Sequence, residues 1–173
     1  MPAAGGAPTG VVPDASDADW SPNSQRLVFS RPSDESIRTV DLRTSETTVV
    51  AAAGAQGCPG FQCGVAWSPN GQSIAYSDGL SIWTVRVDPI GQPVDDPVLL
   101  TPYGPYFQSQ PAFTGNSRSI VFASNRGADG RDTLWSIAVS GGTPAAIEGI
   151  GSMFSYDPAV ARDGAIAYAG STN

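Results

Sequence analysis

Apolar residues along this chain cluster in short groups, and no segment shows the 3.6-residue period of an amphipathic helix. A compact apolar triplet, bounded on both sides by turn residues, occurs four times. The triplets are Leu-Val-Phe at 27–29, Ile-Ala-Tyr at 74–76, Ile-Val-Phe at 120–122 and Ile-Ala-Tyr at 166–168. Triplets of this kind predict short strands that are buried on both faces.

The triplets belong to a longer repeat, which is marked by one position before each of them. Trp20, Trp67, Phe113 and Val160 occupy that position, at spacings of 47, 46 and 47 residues, and a turn follows each one. Three units continue with an alternating segment, at 36–42, 81–87 and 133–139, and then with a weaker one, at 47–50, 97–100 and 144–147. Each complete unit is therefore predicted to form four short strands.

A single four-stranded sheet of this size cannot bury both of its faces, so repeated sheets are expected to stack on one another around an axis. The sequence therefore predicts an all-β fold, a β-propeller of four-stranded antiparallel blades. The indole of Trp20 or Trp67 is expected to fill the space between adjacent blades. A β-sandwich is the alternative, but it does not require four matched registers.

The repeat resembles the WD40-like repeat of TolB-type propellers. Residues 67–77, Trp-Ser-Pro-Asn-Gly-Gln-Ser-Ile-Ala-Tyr-Ser, carry the resemblance, and the third unit resembles the family pattern along the whole of 110–144. Asn stands where that pattern has Asp in Ser-Pro-Asp-Gly, and the third unit lacks Ser-Pro. The resemblance covers about residues 14–169. It implies protein–protein contact at a propeller face, for example in an envelope or membrane-associated assembly.

The repeat count predicts an incomplete propeller of about three and a half blades, either an open wedge or part of a larger ring. We expect a flexible segment at 1–13, which could lend a strand, and one propeller domain at 14–173. Its repeats cover about 14–53, 61–101, 107–147 and 154–173. Unpaired strand edges favour association. A protein partner, or self-association, is therefore expected at the open edges.

Charge and composition exclude several functions. The net charge is −7, all nine basic residues are arginine, and neither lysine nor histidine occurs. Binding to nucleic acid or to an anionic membrane surface is not expected of such a chain. The lack of histidine also removes Ser-His and Cys-His catalytic pairs and the commonest metal ligand. We expect no membrane span, no enzymatic activity, no catalytic residue, no cofactor and no metal.

The two cysteines, Cys58 and Cys63, are separated by four residues that include Pro59 and Gly60. A loop of this size can close into a disulfide, which indicates an extracytoplasmic protein, periplasmic or secreted. The alternative is a pair of free thiols in a reducing cytosol. Zinc would need two further ligands, and no other cysteine or histidine is present to supply them.

The candidate binding residues are aromatic and lie before the innermost strands. Phe61, Phe107 and Phe154 share one position of the repeat, and Tyr103, Tyr106 and Tyr156 lie in the same loops. They could form an aromatic rim that contacts a protein, peptide or glycan. The alternative is that the phenylalanines fill gaps between blades, as core residues.

Two further sets of mostly polar residues stand out in the sequence. Asp17, Gly64, Gln110 and Asp157 form a second repeated column, which we interpret as structural. The loop 124–132 departs most from the repeat, and such departures on a rigid scaffold often carry specificity. In that loop Arg126 and Asp129 are candidate binding residues. Asn125, Asp129 and Asp132 offer only a weak calcium pattern, since arginines nearby could pair with the aspartates.

Three functions fit these observations. The first is a non-enzymatic extracytoplasmic binding or scaffold module. The second is an accessory propeller of a larger enzyme, such as a prolyl-oligopeptidase-like peptidase. The third is a carbohydrate-binding propeller. The acidic pair Asp95 and Asp96 does not favour an enzyme, because both residues are expected in a solvated turn before Pro97.

Overall fold

The computed structural model describes residues 12–52, 64–127, 129–150 and 154–171, with only the backbone described at 154, 155 and 171. The predicted disulfide Cys58–Cys63, the candidate Phe61 and almost all of the predicted strand-lending segment lie outside the described residues. The described residues contain fourteen strands and no helix. No helix long and apolar enough to cross a membrane is therefore found among them.

The strands follow the predicted repeat. The first blade comprises β1 (Ala18–Trp20), β2 (Arg26–Arg31), β3 (Ser36–Asp41) and β4 (Thr47–Ala51). The second comprises β5 (Val65–Trp67), β6 (Ser73–Ser77), β7 (Ile82–Arg86) and β8 (Val98–Leu99). The third comprises β9 (Gln108–Phe113), β10 (Ser119–Ser124), β11 (Thr133–Ala138) and β12 (Ala145–Ala146), and the fourth comprises β13 (Phe154–Val160) and β14 (Ile166–Ser171).

Every blade is an antiparallel meander in which neighbours in sequence are neighbours in the sheet. Trp20, Trp67, Phe113 and Val160 are the last residues of β1, β5, β9 and β13. These innermost strands contact one another in sequence, from β1 to β13. The fold is therefore an open β-propeller with three four-stranded blades and a two-stranded fourth, as the sequence predicted.

The apolar core lies between the blades rather than inside any one of them. Between the first two blades, Val28 and Ile37 pack with Trp67, Ile74 and Tyr76. The next two cores have the same construction and comprise Ala75, Ile82, Phe113, Ile120 and Phe122, and then Val121, Leu134, Val160 and Ile166. Aromatic and branched side chains of this size each contribute about 1.5–3 kcal/mol when they are buried. Each blade is thus stabilised by its neighbour.

Trp20 differs from the other residues at its position, and here the sequence prediction is wrong. Trp67 is 6% exposed because it packs against the first blade, whereas Trp20 is 56% exposed. The residue at this position contacts the preceding blade, and no described residue forms a blade before the first one. Trp67 therefore fills an inter-blade space and Trp20 does not.

The turns after the innermost strands show why the repeat tolerates some changes. In the second blade the Ser68 hydroxyl donates to Asn70 Oδ1 at 2.8 Å and accepts from the Ser73 backbone N–H at 2.9 Å. The third blade makes the same bonds with Thr114 and Asn116. A hydroxyl and an asparagine are sufficient for this turn, so the third unit can lose Ser-Pro without losing the structure.

One backbone position of the repeat adopts a left-handed conformation beside the next blade. Gly64, Gln110 and Asp157 have φ angles of 51°, 53° and 56°. A side chain at Gly64 would place its Cβ 2.5 Å from the Gln110 Cα, closer than such atoms can approach. The second and third blades can therefore make this contact only because residue 64 is glycine.

The contact can be tested with Gly64→Ala, which we expect to lower the free energy of unfolding by about 2–4 kcal/mol, since backbone strain and overpacking add together. Gly79→Ala is the matched control, because Gly79 also has a positive φ, of 87°, but nothing lies within 4 Å of its Cβ position. The Gly79→Ala variant should lose only about 1 kcal/mol of the free energy of unfolding. Urea denaturation measures both values, and equal losses would contradict the inter-blade contact.

Candidate binding surface on the rim face

The loops that lead into the innermost strands and the loops between second and third strands lie on one face of the propeller, because the strands are antiparallel. We call this the rim face, and its main loops comprise residues 78–81, 101–107 and 125–132. Hydrogen bonds join these loops. The Phe107 backbone N–H donates to Asn125 Oδ1 at 2.7 Å, and the Tyr103 hydroxyl donates to Asp78 Oδ2 at 3.0 Å.

The aromatic residues predicted from the sequence are exposed on this face. Tyr103 is 58% exposed, Phe107 59%, Tyr156 43% and Tyr106 37%. The core interpretation is therefore wrong for Phe107, which fills no gap between blades. Phe154 begins β13, but its side chain is outside the described part of the chain.

Tyr103 is held in a fixed position although its ring is exposed. Its ring meets Trp83 edge to face, with the centroids 6.3 Å apart, and the Trp83 Nε1–H donates to the same Asp78 carboxylate at 2.9 Å. Burial, followed by the hydrogen bond to Asp78, raises the pKa of the Tyr103 hydroxyl. The hydroxyl therefore stays protonated and presents a neutral, preorganised ring.

Among the described residues Arg126 forms no ion pair with an aspartate, although the sequence left that pairing open. Its guanidinium lies over Trp135, Phe122 and Tyr106, at 5.3–5.7 Å from the ring centroids. It also donates to Gln108 Oε1 at 2.6 Å. Burial lowers the pKa of Arg126. The side chain therefore anchors the loop 124–132, which we call the variable loop, to the third blade and is not free to bind a partner.

The same loop makes the ion pair that the sequence allowed. Arg131 Nε lies 3.7 Å from Asp129 Oδ2, and both side chains are exposed. Asp129 is therefore engaged by its neighbour, whereas Asn125 and Asp132 line a pocket. The three residues of the weak calcium pattern therefore differ in their contacts, because within the described part of the chain only Asp129 forms an ion pair and only Asn125 and Asp132 line the pocket.

That pocket, with a volume of about 490 Å³, lies between the third and fourth blades. It brings together the aromatic loops and the variable loop. Its lining residues are Phe107, Ser109, Gln110, Ala123, Asn125, Gly130, Asp132 and Tyr156. Burial raises the pKa of Asp132. No local sequence pattern indicates this pocket, because its walls come from four separate segments.

A second cavity, of about 380 Å³, runs along the propeller axis between the innermost strands. The polar column Asp17, Gly64, Gln110 and Asp157 lines it. Gln110 Oε1 accepts the Asp157 backbone N–H at 2.8 Å and so links the last two blades. The structural interpretation of Gln110 is therefore supported by its contacts.

Sequence reasoning missed one residue of the axis. Asp19 Oδ2 accepts the Trp67 backbone N–H at 2.7 Å, which joins the first two blades. The position one before Trp67 and one before Phe113 holds alanine, at Ala66 and Ala112. This departure from the repeat was the available signal.

The acidic pair Asp95 and Asp96 lies away from the rim face. Both residues are exposed, and Asp95 Oδ2 is 2.9 Å from Arg86 Nη1. This arrangement is a solvated turn with a surface ion pair, as the sequence predicted, and such pairs contribute little to stability.

Comparison with solved structures shows the same fold. The chain is similar to TolB from Acinetobacter baumannii, with a TM-score of 0.68 and 16% identity over 89% of this chain and 37% of that one. It is similar to a chain of a nidogen/laminin complex, with a TM-score of 0.70 and 12% identity over 90% of this chain and 56% of that one. It is similar to the Cps50 (Swd1) β-propeller domain from Myceliophteria thermophila, with a TM-score of 0.64 and 14% identity over 90% of this chain and 47% of that one.

These similarities define the class of the protein as a β-propeller module. The chain spans between about a third and somewhat more than half of the structures it matches. A scan against protein-family models finds no match, and neither does a search of curated sequences. The propeller-like fold predicted by the repeat is thus confirmed, while membership of the TolB-type family stays a prediction.

The role of Arg126 can be tested by Arg126→Lys, which keeps the charge but loses the planar group. We expect a loss of about 1–2 kcal/mol in the free energy of unfolding, since lysine cannot stack on the three rings or reproduce the guanidinium geometry. Arg131→Lys, in the same loop, should change it by less than about 0.5 kcal/mol because its ion pair is exposed. Urea denaturation distinguishes the two variants, and equal effects would contradict the anchoring role.

Proposed function

We propose that this chain is a non-enzymatic binding or scaffold module that contacts a protein partner through its rim face. The observation that carries the proposal is the group of exposed aromatic side chains on that face, Tyr103, Tyr106, Phe107 and Tyr156. Tyrosine and phenylalanine provide large apolar contact areas and are enriched at protein interfaces. Four such side chains on one face favour a protein surface as the ligand.

The rigidity of the rim face supports the same function. The Ser77 hydroxyl bonds to the Gln108 backbone carbonyl, and the Gln108 side chain is completely buried and donates to Leu80 O. These bonds tie the second blade to the start of the third. Loops held in this way lose little conformational entropy on binding, so more of the contact energy becomes affinity.

Two carboxylates of the rim face, those of Asp78 and Asp129, favour binding over catalysis. Asp78 accepts hydrogen bonds from Trp83, Tyr103 and two backbone N–H groups, and Asp129 is paired with Arg131. Both groups are engaged in holding neighbouring side chains and loops. Under this proposal they shape the surface and take part in no reaction.

The proposal can be tested by photo-crosslinking in the cells that produce the protein, with benzoylphenylalanine at position 107. We expect adducts with a discrete protein partner, because position 107 points outward from the rim face. Position 72 is the matched control, since Gln72 is also exposed but lies in a turn on the opposite face. Adducts that form only from position 72, or equally from both, would contradict the proposed face.

We further propose an extracytoplasmic location, as part of an envelope or membrane-associated assembly. The support is the spacing of Cys58 and Cys63 together with the resemblance of the repeat to TolB-type propellers. The protein isolated under non-reducing conditions should gain about 2 Da on reduction, the mass of two hydrogens. Thiols that react with iodoacetamide before any reductant is added would contradict the disulfide and remove its support for this location.

A further inference from the structure

The pocket between the third and fourth blades combines a carboxylate with aromatic walls. Asp132 and Asn125 supply its oxygen atoms from the variable loop, and Phe107 and Tyr156 come from the loops and strands of the propeller axis. Its volume of about 490 Å³ is large enough for a long side chain and too small for a folded element. We call it the Asp132 pocket.

The carboxylate of Asp132 is partly withdrawn from water without compensation. Within the described ranges of the chain it makes no hydrogen bond and no ion pair, and burial is the cause of its raised pKa. A charge held in this way destabilises the free protein, and a cation placed against it relieves that cost. The site therefore favours a positively charged ligand.

The aromatic walls favour the same kind of ligand. Phe107 and Tyr156 are 59% and 43% exposed, so their rings are open to a ligand. The faces of aromatic rings attract cations that lie within about 6 Å of the ring centroid. A cation in the pocket would thus be attracted by the carboxylate and by the rings together.

The chain contains a filled example of this arrangement next to the pocket. Arg126 lies 5.3 Å from the centroid of Trp135 and 5.7 Å from that of Tyr106, and its guanidinium donates to the amide oxygen of Gln108. An oxygen acceptor and aromatic faces therefore hold a guanidinium on the same blade. In the Asp132 pocket the acceptor is a carboxylate, which gives a stronger hydrogen bond.

The arginines near the pocket are already engaged. Arg126 is held among its three rings, and Arg131 pairs with Asp129 at 3.7 Å. The net charge of −7 also attracts cationic partners at long range. A cation that reaches Asp132 is therefore expected to come from the binding partner.

We propose that the Asp132 pocket receives the guanidinium of an arginine side chain from the partner protein. Asp132 accepts its hydrogen bonds, and Phe107 and Tyr156 lie against its planar faces. Guanidinium fits better than ammonium because it is planar, stacks on rings and is more weakly hydrated. This inference rests on the proposed function and names the chemistry by which the partner is recognised.

The probe for this site is N-acetyl-arginine methylamide, titrated into the ¹⁵N-labelled protein and followed by two-dimensional NMR. We expect saturable shifts at the amides of the residues that line the pocket. The neutral isostere N-acetyl-citrulline methylamide should cause none at the same concentrations. Equal responses to the two probes, or shifts confined to other parts of the propeller, would overturn the proposal. A stronger response to N-acetyl-lysine methylamide would overturn the choice of guanidinium.

Two variants, each with one carboxylate changed to an amide, provide the matched pair. Asp132→Asn should lower the affinity for the arginine probe about tenfold, because the substitution removes the charge-assisted hydrogen bond but preserves the shape of the pocket. Asp96→Asn should change the affinity by less than about twofold, since Asp96 is exposed in a turn away from the rim face. Equal affinities in the two variants would overturn the role of Asp132.

A third variant tests the aromatic wall without endangering the fold. Phe107→Ala should also lower the affinity for the probe. Because Phe107 is exposed, its removal leaves no cavity in the core. The dispersion of the amide signals verifies that each variant is folded. Unchanged affinity in Phe107→Ala would remove the aromatic part of the proposal.

The failure of this inference is distinguishable from the failure of the proposed function. Tyr103 lies on the rim face but outside the pocket. Crosslinking from benzoylphenylalanine at position 103 that continues undiminished in an Asp132→Asn background would overturn the arginine pocket and leave the rim face as the binding surface. Crosslinking only from the opposite face would overturn the proposed function even if the arginine probe still binds.

Discussion

The structure depends on the contact that each innermost strand makes with the preceding blade. A single small four-stranded sheet cannot bury two faces by itself, so its stability comes from large side chains inserted between sheets. Trp67 and Phe113 make these insertions, and they are only 6% and 5% exposed. The same geometry leaves Trp20 exposed, because the position packs in one direction only. The chain is therefore organised as a one-dimensional series of interfaces.

This one-dimensional order explains how much of the fold could be predicted. The spacing of Trp20, Trp67, Phe113 and Val160 repeats because each residue performs the same packing task, so the strands and their order were readable from the sequence. The burial of Trp20 was not readable, because burial depends on the neighbouring blade and not on the residue. The repeat specifies a position in a blade, whereas its environment is specified by what stacks on it.

The candidate site could be predicted only in part, for a similar reason. The repeat position shared by the phenylalanines placed Phe107 in a loop before an innermost strand, but periodicity could not show whether its ring pointed inward or outward. The partners of Arg126 come from three separate segments, Tyr106, Phe122 and Trp135, and no local pattern joins them. The Asp132 pocket likewise exists only after two blades have stacked. Tertiary contacts between distant segments are what sequence periodicity omits.

The turns that follow the innermost strands keep to the repeat closely, whereas the loops of the rim face do not, and this difference has a functional meaning. The turns after the innermost strands, on the face opposite the rim, use the same hydroxyl and asparagine bonds, as Ser68 with Asn70 and Thr114 with Asn116 show. Uniform turns satisfy the backbone and leave little that is specific to any one blade. The loops of the rim face differ from blade to blade, and they include the long loop that contains Asp132. Because the scaffold beneath these loops is fixed by inter-blade packing, changes in the loops can alter recognition without altering the fold.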